Sequence, residues 1–297
     1  MIEQKEPYFF DAHTHIQFTG FAEDREDVVA RAAAAGVRMI NVGTQKDTSR
    51  AALELAHAQA RENSSVGMYA AIGLHPVHTS SSFHDAQELG GGDAATPFTS
   101  RGEVFGMEYY RELALDPKTV AIGECGLDYF HFNEDESHEE QITKQKAAFL
   151  AQIELAKEVK KPLMIHCRNA FADLIEFIKP HAADLKPGII HFFTGTPDDA
   201  RALLELGFSF TFGGAVTFPP RKGKLQGDYD EAIAIIPIDR ILSETDAPYV
   251  TPVPFRGKKN EPSYIPHIVK RLADLKNISP KEMKEQIWKN AQRIFQL

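Results

Sequence analysis

Short apolar runs alternate with longer amphipathic stretches along the whole chain, and this alternation restricts the folds that the sequence can adopt. Runs rich in β-branched and aromatic residues, separated by helical patterns, are typical of βα units and a parallel sheet. Eight runs occur, at Tyr8–Asp11, Met39–Val42, Tyr69–Gly73, Val120–Gly123, Leu163–His166, Ile189–His191, Phe208–Phe212 and Ile241–Ser243. Because eight parallel strands close into a barrel, the pattern predicts an α/β protein with the TIM (β/α)8 fold.

Amphipathic stretches between and after the runs predict the helices of this barrel. The predicted helices are Asp24–Ala35, Asp47–Glu62, Glu139–Val159, Ala170–Lys179, Asp198–Leu206, Tyr229–Ile235, Pro266–Leu275 and Lys281–Phe295. Gly36 and Gly207 follow two of these stretches, at a position where glycine adopts a left-handed cap at little cost. A chain of 297 residues fits one barrel or two average domains, and the regular alternation favours a single domain over residues 1–297.

One segment departs from the alternation. Residues 79–106 follow the third apolar run and are rich in Ser, Thr and Gly, so we expect an inserted loop at about this position. A loop of this length is either functional or a tolerated surface insertion, and its position next to His75 is compatible with both interpretations.

Charge and cysteine content exclude several classes of protein. Asp and Glu total 42 against 33 for Lys and Arg, and a net charge of −9 argues against a broad basic surface that coats nucleic acid, although a local basic site is compatible. The sequence starts with charged residues and has no apolar stretch of membrane-spanning length, which predicts a cytoplasmic protein without a membrane partner. Its two cysteines, Cys125 and Cys167, form no CxxC pair and are expected to be packing residues.

Histidines and acids follow several of the predicted strands. His13 and His15 close the first strand and project on the same side, because side chains alternate along a strand. The other strand-end candidates are His75, Glu124, His166, His191, Glu244 and Asp246. Since the carboxyl ends of all barrel strands meet at one face, these side chains are expected to converge, and so many coincident donors favour a metal site over ordinary polar residues.

The donor set predicts two metal ions rather than one. Six donors are too many for one tetrahedral ion that leaves a position open for water. The donors are assigned as follows: His13, His15 and Asp246 to one ion, His166 and His191 to the other, and Glu124 as the bridge between them. Mixed nitrogen and oxygen donors suit Zn, Mn or Mg, and a pair of such ions activates water, so metal-assisted hydrolysis is the expected reaction.

Six motifs connect this pattern with a known family. They are GLHP at 73–76, GECGLDY at 123–129, IHCR at 165–168, HFFTG at 191–195, ETDAPY at 244–249 and RGKKNEP at 256–262. In this order they resemble the motifs of the TatD family of metal-dependent deoxyribonucleases, within the amidohydrolase superfamily, and the resemblance covers nearly the whole chain. It implies a TIM barrel, a divalent-metal site and hydrolysis of DNA phosphodiester bonds, commonly from the 3′ end of single strands.

The resemblance also implies catalytic roles. Asp246 would bind metal and orient or deprotonate the attacking water, and Glu124 would bridge the ions or hold the second one. His75 would contact the scissile phosphate or assist the leaving oxygen. One departure is visible, because His131 stands where family members often carry Arg, and acidic residues follow it at 134–136. This difference would weaken or alter the contacts with the substrate.

Basic and aromatic residues near the predicted site suit a DNA substrate. The basic residues of the loops after the last two strands, expected to face the site, are Arg221, Lys222, Lys224, Arg256, Lys258 and Lys259. Aromatic residues near the same strand ends are Phe193, Phe212, Phe218, Tyr249 and Phe255, of which Tyr249 and Phe255 are the expected base contacts. The predicted substrate-binding residues are His75, Arg168, Tyr249, Arg256 and Asn260.

Two other functions remain open at the level of sequence. The same ions could hydrolyse an ester or amide, in a small molecule or a misacylated tRNA, or the barrel could be a metal-stabilised scaffold without catalysis. Glu124 favours phosphodiesters, because many relatives with small-molecule substrates would need a carbamylated lysine at the end of the fourth strand. The native metal, DNA or RNA preference, exonuclease or abasic-site cutting, and a monomeric or homodimeric state also stay open.

Overall fold

The computed structural model describes residues 8–61, 67–81, 83–84, 98–99, 102–219 and 226–297. Its strands are β1 (Phe9–Thr14), β2 (Val37–Val42), β3 (Met68–Ile72), β4 (Phe83–His84), β5 (Phe98–Thr99), β6 (Thr119–Asp128), β7 (Leu163–Arg168), β8 (Ile189–Ile190), β9 (Ser209–Phe212) and β10 (Ile241–Ser243). Eight of them form one sheet in the order β1-β2-β3-β6-β7-β8-β9-β10, and every neighbouring pair is parallel. The predicted eight-stranded α/β barrel is confirmed.

Backbone hydrogen bonds join the two ends of this sheet. The N–H of His15 donates to the carbonyl of Ala247 at 2.8 Å, and the N–H of Asp246 donates to the carbonyl of His13 at 2.9 Å. Thr14 and Ala247 form a parallel bridge between the same segments. The end of β1 and the loop after β10 are therefore held side by side, which nearly closes the barrel.

Helices surround the sheet. In the described residues they are α1 (Arg25–Ala34), α2 (Lys46–Arg61), α3 (Met107–Ala114), α4 (His138–Val159), α5 (Phe171–Ile178), α6 (Pro197–Glu205), α7 (Gln226–Ile235), α8 (Ile265–Lys276) and α9 (Pro280–Phe295). All the predicted helices are present, with ends shifted by a few residues at most. Helix α3 was not predicted; its 8 residues directly follow the inserted segment at 79–106, where the alternation is interrupted. Packing of Tyr110 and Leu113 into the core stabilises it.

Short 3-10 helices complete the connections. They lie at Thr19–Phe21, Pro76–Thr79, Lys179–Asp184, Gly214–Thr217, Ile238–Arg240 and Pro262–Tyr264. No helix in the described part of the chain combines the length and the apolar character that crossing a membrane requires. The cytoplasmic location stays a prediction.

The predicted insertion at 79–106 is described only in part. Strands β4 and β5 form an antiparallel ribbon within it, in which Phe83 pairs with Thr99 and His84 with Phe98. This ribbon was not predicted, because strands of two residues leave no alternation to detect. The remainder of the insertion, apart from residues 79–81 and 102–106, lies outside the described residues.

Apolar side chains fill the barrel, and ionisable side chains replace them at the carboxyl ends of the strands. Phe10 and Ile72 are fully buried in the apolar part, whereas His13 is fully buried at the end of β1. Cys125 and Cys167 are free thiols that are also buried, which agrees with the predicted packing role. The core therefore supports a polar cluster at one face of the barrel.

Two glycines allow β6 and β7 to approach closely below this cluster. Gly126 has a φ of +134°, and a Cβ atom there would lie 2.0 Å from the carbonyl oxygen of His166. Gly123 has a φ of +154°, and its Cβ atom would lie 2.4 Å from the carbonyl oxygen of Met164. Only glycine fits at these positions, and their close packing brings Glu124 beside β7.

We expect Gly126→Ala to lower the free energy of unfolding by about 3 kcal/mol or more, because the added methyl group overlaps a backbone oxygen and φ is unfavourable. Gly36→Ala is the matched control, since Gly36 also has a positive φ of +69° but no atom lies within 4 Å of its Cβ position. This control should lose only about 1 to 2 kcal/mol. Chemical denaturation measures both values. Equal losses would show that backbone conformation alone, and not contact with β7, requires glycine at 126.

Candidate metal centre

A buried carboxylate occupies the middle of the carboxyl-terminal face of the barrel. Glu124, on β6, is 4% exposed and is surrounded by imidazoles. Its Oε1 lies 2.8 Å from Nε2 of His191, 3.1 Å from Nδ1 of His166 and 3.2 Å from Nε2 of His75. Its Oε2 lies 3.4 Å from Nε2 of His13. Each carboxylate oxygen therefore faces its own group of histidines.

The group around Oε2 lies where β1 meets the loop after β10. The Nε2 atoms of His13 and His15 are 3.0 Å apart. Oδ1 of Asp246 lies 3.4 Å from Nε2 of His15 and 3.7 Å from Nε2 of His13. The structure thus brings the six predicted ligands together around Glu124, and the two predicted groups adjoin where the ring of His13 stacks on that of His191 at 3.9 Å.

Hydrogen bonds on the outer side of two imidazoles determine which ring nitrogen faces the centre. Nδ1 of His15 lies 2.7 Å from the carbonyl oxygen of Val42. Because a carbonyl only accepts, Nδ1 donates and Nε2 keeps its lone pair for a cation. Nε2 of His166 lies 3.0 Å from Oδ2 of Asp128, which leaves Nδ1 facing Glu124. Such outer contacts orient histidine ligands in metal sites.

Two further buried acids stand behind the donors. Glu244 is fully buried, and its Oε2 lies 3.5 Å from Nδ1 of His191 and accepts a hydrogen bond from the Thr211 hydroxyl at 2.5 Å. Asp11 is also fully buried and accepts from the backbone N–H of Thr245 at 2.9 Å. The first acid lies close behind a donor, and the second ties β1 to the loop after β10.

The sequence contained signals for Asp128 and Asp11 that the prediction did not use. Asp128 stands four residues after Glu124 on one strand, and the two-residue period of a strand places both side chains on the same side. Asp11 stands two residues before His13 on β1, so the same period places these two side chains on one side. Glu244 was recognised only as a strand-end candidate, since sequence spacing does not distinguish an acid that binds metal from one that orients a ligand.

The charges of the cluster favour a cation. Burial alone would raise the pKa of Glu124, but His75, His191 and His13 hold this pKa well below its usual range. Burial, with a contribution from the charge of His191, lowers the pKa of His13 to about 3, and burial lowers the pKa of His75 to about 4. Near neutral pH, Glu124 is therefore an anion and His13 a neutral imidazole, which are the protonation states of metal ligands.

His191 carries the compensating positive charge. Burial tends to lower its pKa, but the carboxylates of Glu124 and Glu244 raise the pKa well above its ordinary value. A cation held by Nε2 of His191 has to displace a proton, so binding of metal is expected to release protons. Three overlapping groups each place one donor atom per residue within 4.8 Å of one another: His13 with His191 and Glu244, His13 with His15 and Glu124, and His75 with Glu124 and His166. The residues present fit divalent metal ions.

Two predicted substrate-binding residues lie beside these donors. Nδ1 of His75 accepts from the backbone N–H of Val77 at 3.2 Å, so Nε2 carries the proton and points to Glu124. The ring of Tyr249 lies 6.5 Å from the ring of His15, centroid to centroid. His75 therefore contacts the cluster directly, and Tyr249 lies next to it.

Two predicted arginines lie over aromatic rings. The guanidinium carbon of Arg168 is 4.0 Å from the ring centre of Phe130, and that of Arg256 is 3.9 Å from the ring centre of Phe218. Within the described ranges, neither guanidinium forms an ion pair with a carboxylate. Both arginines keep hydrogen-bond donors for a phosphate.

The structure corrects other expectations for the loop after β10. Asn260 is fully buried, and its Nδ2 donates to the carbonyl oxygens of Thr245 at 2.8 Å and Tyr249 at 2.6 Å, so it positions this loop and has no surface for a substrate. Lys259 donates to Oδ1 of Asp24, just before α1, at 2.6 Å, so its charge is already paired with an acid.

The remaining basic and aromatic predictions have mixed outcomes. Phe193 and Phe212 are 1% exposed and belong to the core. Phe255 stacks on Tyr264 with centroids 4.1 Å apart, so one face of its ring is occupied. Lys258 is exposed. Arg221, Lys222 and Lys224 lie outside the described residues.

An α/β barrel with buried histidines and acids at the carboxyl ends of its strands defines a metal-dependent hydrolase. Comparison with known proteins agrees with this class. The family model described as TatD related DNase matches residues 10–296. YabD of Bacillus subtilis (strain 168), described as an uncharacterized metal-dependent hydrolase, is 37% identical over 291 residues, covering 97% of this chain and 99% of its own.

Two further relatives extend the comparison. The protein of Pantoea vagans (strain C9-1) named 3′-5′ ssDNA/RNA exonuclease TatD is 37% identical over 294 residues, covering 97% of this chain and 99% of its own. The crystal structure of YJJV, a TatD homolog from Escherichia coli K12, superposes with a TM-score of 0.76 at 28% identity and covers 97% of this chain and 98% of its own. The chain belongs to the TatD-related DNase family, which confirms the resemblance and the class of metal-dependent hydrolase.

We expect Asp128→Asn to lower the affinity for divalent metal by about 10- to 100-fold, because the amide no longer fixes the ring of His166 by a charged contact. Isothermal titration calorimetry with Mn²⁺ measures this change. Asp173→Asn is the control, since Asp173 accepts from Tyr129 and Lys146 near the same strand but does not contact a proposed ligand. If both variants bind Mn²⁺ as wild type does, Asp128 does not orient a ligand.

Proposed function

We propose that this protein is a divalent-metal-dependent deoxyribonuclease that hydrolyses DNA phosphodiester bonds, with release of nucleotides from the 3′ end of single strands. The observation that carries the proposal is the Glu124 carboxylate, whose two oxygens face separate groups of donors. The name of the Pantoea relative, a 3′-5′ ssDNA/RNA exonuclease, supports the type of bond and the direction. We propose further that residues 1–297 act as one hydrolase unit, whether as a monomer or a homodimer.

Two ions of Mg, Mn or Zn fit the donor groups best. The proposed ligands are His13, His15 and Asp246 for one ion, His166 and His191 for the other, and Glu124 for both. Ions held at these positions would supply an activated water and neutralise the charge of the phosphate. The protein supplies the orientation of two donors, through Val42 and Asp128, and the burial of His13, Glu124 and His191.

Asp246 is the proposed proton acceptor for the attacking water. Burial tends to raise its pKa, but contacts with His15 and His13 lower the pKa below its ordinary value, so the carboxylate is ionised near neutral pH. Its backbone has a φ of +55°, a conformation that non-glycine residues seldom adopt, and its N–H is held by the carbonyl of His13. This backbone directs Oδ1 toward the histidines of β1.

His75 is the proposed hydrogen-bond donor to the substrate. Its Nδ1 is occupied by Val77, and its pKa of about 4 keeps the ring neutral at working pH. The Nε2 proton can therefore be directed to a phosphate oxygen or to the leaving oxygen. Arg168, Arg256 and Tyr249 are the proposed contacts to the phosphates and bases of the strand.

Wild-type protein with Mg²⁺ should release nucleotides from single-stranded DNA that is labelled at the 3′ end. We expect a chelator, Asp246→Asn and Glu124→Ala each to reduce the rate by at least about 100-fold, because each removes the ions or their ligands. Asp274→Asn is the control, since this exposed carboxylate on α8 pairs only with Lys270 among the described residues. Its rate should equal that of wild type.

Matched RNA and duplex DNA in the same assay distinguish the possible nucleic-acid substrates. If wild type releases nothing with Mg²⁺, Mn²⁺ or Zn²⁺ although the protein binds metal, the nuclease proposal is wrong. Esters, amides and misacylated tRNA then become the substrates to assay. Unchanged release in Glu124→Ala would contradict the bridging role of this residue.

The number of ions is tested by equilibrium dialysis followed by elemental analysis. We expect two ions per wild-type chain, and at most one in Glu124→Ala, because the bridge belongs to both groups of donors. Asp274→Asn should bind as wild type does. A single ion in wild type at saturating metal would contradict the two-ion proposal without affecting the nuclease assay.

A further inference from the structure

An exposed aromatic side chain lies at the rim of the metal centre. Phe130 lies two residues after Asp128, the last residue of β6, and 53% of its surface is exposed. The adjacent aromatic residues are held by neighbours: the Tyr129 hydroxyl donates to Oδ2 of Asp173 at 2.8 Å, and Phe132 stacks on His138 at 4.0 Å. Burial of apolar surface therefore does not explain the position of Phe130.

Asp128 fixes Phe130 relative to the metal centre. Its Oδ1 accepts from the backbone N–H of Phe130 at 2.8 Å and from that of His131 at 2.9 Å. Its Oδ2 lies 3.0 Å from Nε2 of His166, whose other ring nitrogen faces Glu124. One buried carboxylate thus connects the backbone of the exposed aromatic residue with a proposed metal ligand.

Arg168 covers the ring of Phe130 from the neighbouring strand. Asp128 and Arg168 are partners in the register of β6 and β7, and the guanidinium carbon lies 4.0 Å from the ring centre. A guanidinium that stacks on a ring keeps the N–H groups at its edge available for phosphate. Among the described residues no carboxylate neutralises this charge. An aromatic surface and a phosphate-binding cation therefore lie together beside the donors.

We propose that Phe130, with Arg168 stacked on it, binds an unpaired base of a nucleotide that flanks the scissile phosphate. This inference rests on the proposed nuclease function and specifies how the site selects its substrate. The face of the ring opposite Arg168 provides a stacking surface that accepts any base, while Arg168 binds the phosphate backbone of the same strand. A base inside a duplex is paired and stacked on its neighbours, so its face is not available to Phe130. The pair of side chains thereby favours single-stranded ends.

The test compares two single-stranded oligonucleotides that differ in one nucleotide, which carries a base in one and an abasic tetrahydrofuran in the other. The change is placed in turn at the terminal and at the penultimate position, and kcat/KM for release is measured with Mg²⁺. The proteins are wild type, Phe130→Ala and Phe130→Trp. Leu115→Ala is the control, because Leu115 is 67% exposed at the end of α3 and lies outside the proposed site.

We expect wild type to prefer the base-containing strand by on the order of tenfold at one of the two positions. Phe130→Ala should lose about the same factor on that strand and match wild type on the abasic strand. Phe130→Trp and Leu115→Ala should keep the preference. Equal losses on both strands, or no loss in Phe130→Ala, would overturn the inference while leaving the nuclease function intact. Absence of release by wild type on every strand would instead overturn the nuclease function and this inference with it.

Discussion

Burial of the Glu124 carboxylate among imidazoles is the interaction on which the site depends. Removal of a carboxylate from water is unfavourable unless charges and hydrogen-bond donors replace the lost water. The replacement comes from residues on or after β1, β3, β7 and β8, which all reach this one side chain. The need to compensate this buried charge links four separate parts of the barrel at a single point. Displacement of any one of them would leave the Glu124 carboxylate exposed to water or without a partner.

The outer hydrogen bonds give this cluster its direction. Val42 and Asp128 each hydrogen-bond the far side of an imidazole, so these two rings present a defined nitrogen to the centre. Stability comes mainly from the apolar interior below, while the polar face concentrates charges that reduce stability unless they are matched. The barrel thus separates the residues that hold the fold from those that perform chemistry, which is the usual arrangement in this architecture.

Sequence alone predicted the barrel because its buried strands read as short apolar runs between helical patterns. It also predicted the six donors, since strand ends meet at one face whatever the details of packing. Helix α3 and the β4–β5 ribbon were missed, because they lie directly after or within the insertion that interrupts the alternating pattern. The role of Asn260 was not predictable, because it depends on the direction of a side chain in a loop, whereas the spacing of Asp128 from Glu124 was a signal that the prediction did not use. Lys259 pairs with Asp24 over 235 residues, a contact that only the closed barrel creates.

Closure of the barrel brings together residues from opposite ends of the chain. Asp11 and Thr245, which are 234 residues apart, share a hydrogen bond, and His13 accepts from the backbone of Asp246. During synthesis on a ribosome, the amino-terminal histidines emerge long before their carboxylate partner. A nascent chain therefore has an incomplete set of proposed donors until the segment that carries Asp246 is synthesised and contacts β1. A protease cut that releases the final segment would leave the same set of proposed donors incomplete.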